Sequence, residues 1–138
     1  MSRLAVVAAL IVALSLAACG ESKEDKAQKT VCSARADIKA QVDELKGMSV
    51  TTATLDGVRA NLREIGAGLE KIAGAQSDLT GDRRQAVEQA TKSFKSEVTG
   101  VTRELVTSVS LSDGKQQIEA ALEGLASSYQ AALAPLDC

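Results

Sequence analysis

LDGVRANLREIGAGLEKI, residues 55–72, decides the fold class. Its apolar residues Leu55, Val58, Leu62, Ile65, Leu69 and Ile72 follow one another at steps of three and four residues without a slip. That spacing puts all six on one side of an α-helix and leaves Arg59, Arg63, Glu64, Glu70 and Lys71 on the other. A strand would need alternation with a period of two, and no segment of the chain sustains it.

The same pattern extends outward from this stretch. Val31, Ala34, Ile38, Val42 and Leu45 precede it at helical spacing. Val87, Ala90, Phe94, Val98, Val101 and Leu105 follow, with Val109 as an extension, and then Ile118, Leu122, Leu125, Tyr129, Ala132 or Leu133, and Leu136. Three short breaks separate the four stripes: Gly47 to Ala53, Gly74 to Gly81, and Ser110 to Gly114. Thr52 or Thr54 is placed to cap the second helix. Asp82 with Gln85, and Ser110 with Asp113, have the spacing of capping boxes for the third and fourth. Pro135 ends the last helix, because it lacks a donor and disfavours helix just before it. Short connections make sequential helices pack antiparallel. The expected fold is all-α, an antiparallel up-and-down four-helix bundle. Phe94 and Tyr129 are its only aromatic residues, so its core is aliphatic and alanine-rich.

The front of the chain is of another kind. Met1-Ser2-Arg3 is followed by an uncharged run from Leu4 to Ala18, about 15 residues and short of the ~20 that a spanning helix needs. A basic start, an apolar run and a small-residue exit read as an export signal. The exit, Leu16-Ala17-Ala18-Cys19, resembles the bacterial lipobox at all four of its positions. That resemblance implies a diacylglycerol on the Cys19 thiol and cleavage that leaves Cys19 as the first residue. The expected divisions are a signal peptide over 1–18, a lipidated N-terminus and polar tether over 19–30, and a bundle domain over 31–138. An uncut signal-anchor is the alternative.

With Cys19 carrying lipid, Cys32 and Cys138 remain, at the two ends of the helical part. In an oxidising compartment such a pair reads as one disulfide, the alternative being two free thiols. The pair also tests the helix count. An even number of up-and-down helices brings the chain ends to one pole. Three helices would hold them about 30 Å apart, one 20-residue helix length, whereas a disulfide needs Cα atoms within roughly 7 Å. Stripes and cysteines agree on four. The domain also resembles small secreted proteins and lipoproteins of high-GC actinobacteria, which open on Cys and an Asp-Ile-Lys-like helix and close on Cys. Here Cys32, Asp37, Ile38, the second stripe and Cys138 match. The resemblance implies a disulfide-closed helical domain and no particular activity.

Chemistry-bearing residues are sparse. The chain has no His and no Gly-x-Ser-x-Gly, so an activated nucleophile lacks its usual base. Asp43 with Glu44, and Glu119 with Glu123, are the visible carboxylate pairs, and both lie off the apolar stripes. Glu88 and Lys92 have the spacing of a surface ion pair. Asp78-Leu79-Thr80-Gly81-Asp82 lacks the alternating ligands and closing Glu of a calcium loop. Arg83-Arg84 could grip an anion at a helix start, or simply sit solvated beside Asp82. Gly66 and Gly68 flank the second stripe, where they permit either a close helix approach or a cleft. Removing Arg3 leaves 15 basic against 18 acidic residues, which argues against nucleic acid or a polybasic lipid contact.

The sequence therefore predicts a non-enzymatic binding or structural module of the cell envelope, outside the cytoplasm and held to a membrane by lipid on Cys19. No catalytic, cofactor or metal residue is expected, and the partner is an envelope protein or cell-wall component. The alternative is a carrier that holds a lipid or quinone within the bundle. A closed core of Leu62, Ile65, Phe94, Val98, Leu125 and Tyr129 favours the first.

Overall fold

The computed structural model describes residues 20–107 and 111–138. Among these there is no strand and there are four α-helices: α1 Lys23–Gly47, α2 Leu55–Ala75, α3 Gly81–Thr107 and α4 Leu111–Ala132. A short 3₁₀ turn, Gln76–Asp78, joins α2 to α3. The signal segment 1–18, Cys19 and the extension at Val109 lie outside the described residues, as does Ser110 of the expected fourth cap.

The stripes are the core. Val31, Ala34, Ile38, Val42 and Leu45 are buried on α1, and Val58, Leu62, Ile65, Leu69 and Ile72 on α2. Val87 through Leu105 of the third stripe are buried on α3. Ile118, Leu122, Leu125 and Tyr129 are buried on α4, and Leu133 just beyond it. All belong to one cluster, with Leu55, Ala132 and Leu136 half-buried at its edge. α1 packs against α2 and α4, and α3 packs against the same two.

α1 begins at Lys23, so most of the segment read as a tether is helix. Two features produce the early start. Ser22 Oγ accepts from the Asp25 backbone N–H at 3.0 Å, and the Asp25 carboxylate accepts from the Ser22 N–H at 3.3 Å, a complete capping box. Ala27, one turn before Val31, is 4% exposed and extends the buried stripe backward. Only Gly20, Glu21 and Ser22 stand between Cys19 and the helix.

The connections carry anchors of their own. Val50, between α1 and α2, and Leu79, between the 3₁₀ turn and α3, are both buried in the common core. Thr54 stands at the α2 cap position but makes no capping bond. Its hydroxyl instead accepts from the Thr51 N–H at 2.8 Å and donates to the Ser49 carbonyl at 2.7 Å, tying the loop. Asp82 and Ser112 to Gly114 fall inside helices rather than ahead of them. Gly81 takes a φ of +56°, where a side chain would be strained.

Candidate functional site

The pole where α1 begins collects the greatest variety of contacts. Past Ala132 the chain turns tightly: the Tyr129 carbonyl accepts from the N–H groups of Leu133 and Ala134, both at 2.9 Å. Leu133 drops fully into the core, and Pro135 carries the tail out of helix toward α1. The Arg35 guanidinium then donates to two tail carbonyls, Ala134 at 3.1 Å and Leu136 at 2.7 Å. The Gln28 amide donates to the Asp137 carbonyl. The last contact is Cys32 with Cys138, at disulfide distance with Cα atoms 5.6 Å apart. The two cysteines singled out by the sequence therefore meet, and they do so across four helices.

Tyr129 links this clamp to the core. Its ring meets Phe94 edge-to-face, centroids 6.0 Å apart and planes at 78°. Its hydroxyl donates to the Arg35 carbonyl at 3.3 Å. Burial pushes the phenol above its usual 10, against the opposing pull of the Arg35 and Lys39 cations.

A groove of about 670 Å³ opens beside the clamp, between the first half of α3 and the last half of α4. Val87 and Ala90 form its buried floor. Ala86 and Ser93 stand on one side and Ser128, Ala131 and Ala132 on the other, with Pro135 and Leu136 at one end. Gln28, Asp82, Arg83 and Asp137 supply polar groups where the groove meets the start of α1. A second cleft, about 490 Å³, separates α2 from α3 and is bordered by Gly66, Glu88 and Lys92. Both lie on the outside of the bundle. The six residues expected to close the core are all buried within it.

The remaining candidates are dispersed. Asp43 pairs with Lys39, whose ammonium is held above its usual range by that hydrogen bond, while Glu44 is exposed. Glu119 faces Lys115 at 3.7 Å on the same helix, and Glu123 is exposed. Arg83 reaches Glu24 at 3.4 Å, joining the start of α3 to the start of α1. In the Asp78–Asp82 loop, Leu79 is an anchor of the core. Among the described residues no group of His, Cys, Asp or Glu is placed to hold a metal ion, and no helix is long and apolar enough to cross a membrane.

Neither the Arg35 clamp nor the groove has a signature along the chain. Arg35 is one cation among many on α1, and only the return of the tail gives it partners. No family model, curated protein or solved structure matches the chain.

Proposed function

We propose that this chain is a lipid-anchored, non-enzymatic binding or structural module of the bacterial cell envelope, working outside the cytoplasm with its four helices in antiparallel up-and-down order. The observation that carries the reading is the junction of Leu16-Ala17-Ala18-Cys19 with a helix that starts four residues later. At ~3.3–3.6 Å per residue, the four steps from Cys19 to Lys23 reach about 14 Å at most. The pole where α1 begins then faces the lipid surface, with Cys32 about 13 Å farther along the helix, and the partner is met by the sides and far end of the bundle.

Two contacts support the antiparallel order. Glu24 at the start of α1 pairs with Arg83 at the start of α3. Arg35 of α1 bonds carbonyls just past the end of α4. Oxidation of Cys32 and Cys138 to a disulfide fits a compartment outside the cytoplasm.

The Cys19→Ala protein tests the anchor. It should leave the membrane fraction or accumulate as an uncleaved precursor. Normal cleavage with retention on membranes would reject the reading. In-cell crosslinking of the wild-type protein, followed by affinity capture, then identifies the partner.

One observation favours the carrier as a second reading. The α3–α4 groove exceeds the ~300 Å³ at which small-molecule sites begin. Native mass spectrometry of the purified Cys19→Ala domain separates the two. A bare mass supports the interaction module, and a stoichiometric lipid or quinone adduct supports the carrier.

A further inference from the structure

We infer that the α3–α4 groove receives one acyl chain of the protein's own lipid on Cys19. The inference rests on the lipoprotein reading above. Three observations lead to it.

The first is shape. Apart from Gln89, the side chains along the groove are short: Ala86, Ala90 and Ser93 on α3 against Ser128, Ala131 and Ala132 on α4. From Ala86 to Ser93 is about two helical turns, roughly 10 Å. A narrow trough with an apolar floor suits a linear hydrocarbon better than a ring system or a second helix.

The second is reach. Arg83, on the groove wall, bonds Glu24 at 3.4 Å. Glu24 lies five residues beyond Cys19, which spans about 17 Å at most when fully extended. A lipid on Cys19 is therefore tethered within that reach of the groove's polar end.

The third is the order of polarity. Gln28, Asp82, Arg83 and Asp137 gather where the groove meets the start of α1, and the Gln28 side-chain oxygen is buried there without a hydrogen-bond partner. Beyond this polar mouth the lining is mainly Ala86, Val87, Ala90, Ala131 and Ala132, with Gln89 and the Ser93 and Ser128 hydroxyls farther along, an order that matches glyceryl esters at the mouth and a hydrocarbon tail within.

The consequence is a change in anchorage. A protein held by two or three acyl chains is stably bound, whereas one held by a single chain is only marginally so. Withdrawing one chain into the groove moves the protein from the first condition toward the second. The groove thereby sets how tightly this lipoprotein holds its membrane.

Metabolic labelling with a diazirine fatty acid tests this in the native host, because the label enters the lipid on Cys19. After irradiation of whole membranes, peptide mapping should place crosslinks within residues 86–93 and 128–136. Ala131→Trp and Ala86→Trp fill the trough from opposite walls, and both positions are exposed, so neither disturbs the core. Each should abolish the crosslinks, leave the label on Cys19, and make the protein harder to extract from membranes. Label on Cys19 with crosslinks only to lipid or to other proteins would overturn the inference and leave the lipoprotein reading standing. Absence of label from Cys19 would overturn both. Groove crosslinks in the Cys19→Ala protein given the same fatty acid free in solution would reassign the groove to exogenous lipid.

Discussion

α1 meets its two neighbours by different means. On the α2 side the seam is apolar and depends on what is missing: Gly68 has no side chain, and Ile38 of α1 occupies the space. A Cβ built on Gly68 would stand 2.7 Å from Ile38 Cγ1 and 3.1 Å from its Cδ1. On the α4 side the seam ends in the Arg35 clamp, the Tyr129 hydroxyl and the two cysteines. The difference follows from distance along the chain. A connection of seven residues already holds α1 near α2, so packing alone completes their contact. Cys32 and Cys138 are 106 residues apart, and closing so long a loop costs entropy that charge-assisted and covalent bonds must offset.

The largest test of this contrast removes the covalent end of the α4 seam. Cys32→Ser with Cys138→Ser should lower stability by up to ~4.7 kcal/mol, the chain-entropy value for a loop of about 100 residues. Urea unfolding measures it. An unchanged midpoint would mean that packing holds α4 as it holds α2.

Arg35→Met keeps much of the side chain's apolar stem and removes the guanidinium. Hydrogen bonds from charged groups contribute about 1.5–3 kcal/mol, and the half-exposed setting of Arg35 puts the expected loss at the low end. Amide exchange in residues 133–138 should quicken while that of α2 stays unchanged. Equal acceleration in both would show the two seams to be one cooperative unit.

The α2 seam is tested by adding a single carbon. Gly68→Ala should cost about 1–3 kcal/mol by overpacking, and in an Ile38→Ala background, which removes both clashing carbons, that cost should largely vanish. Gly66→Ala, two residues away with nothing within 4 Å of its Cβ, should instead stabilise by about 0.5–1 kcal/mol. Thermal denaturation of the pair reads both signs. Loss in both variants would reject the close approach at Gly68 as the cause.

The smallest effect belongs to the Tyr129 hydroxyl. Tyr129→Phe keeps the edge-to-face contact with Phe94 and removes the bond to the Arg35 carbonyl, at a cost of about 0.5–1.5 kcal/mol. Because the folded phenol holds its proton above the usual 10, its contribution is complete below that pH and is lost as pH rises through the raised value. Wild-type stability should therefore fall more steeply above pH 10 than that of the Phe variant.

These seams mark the boundary of what the sequence reveals. The stripe from Leu55 to Ile72 fixed a helix because burial of one face imposes a period that any helix must repeat. The same rule places Ile38, Phe94, Leu125 and Tyr129 in the core, where all four are buried. Cys32 and Cys138 were legible as a pair because two cysteines at the ends of an even set of helices have one simple geometry. The early start of α1 was also present in the sequence, in Ser22, Asp25 and Ala27, but polar composition concealed it.

What tertiary structure alone decided is how surfaces answer one another across helices. Gly66 and Gly68 look alike along the chain, yet only Gly68 faces Ile38. Ala86, Ala90, Ala131 and Ala132 read as ordinary helix formers, and they line a groove only because α3 and α4 bring them to one place. Arg35 becomes a clamp only when the tail beyond Pro135 returns to it. Periodicity reports which way a residue points from its own helix. What it meets there depends on the position and rotation of another helix, which the packing of the whole core determines.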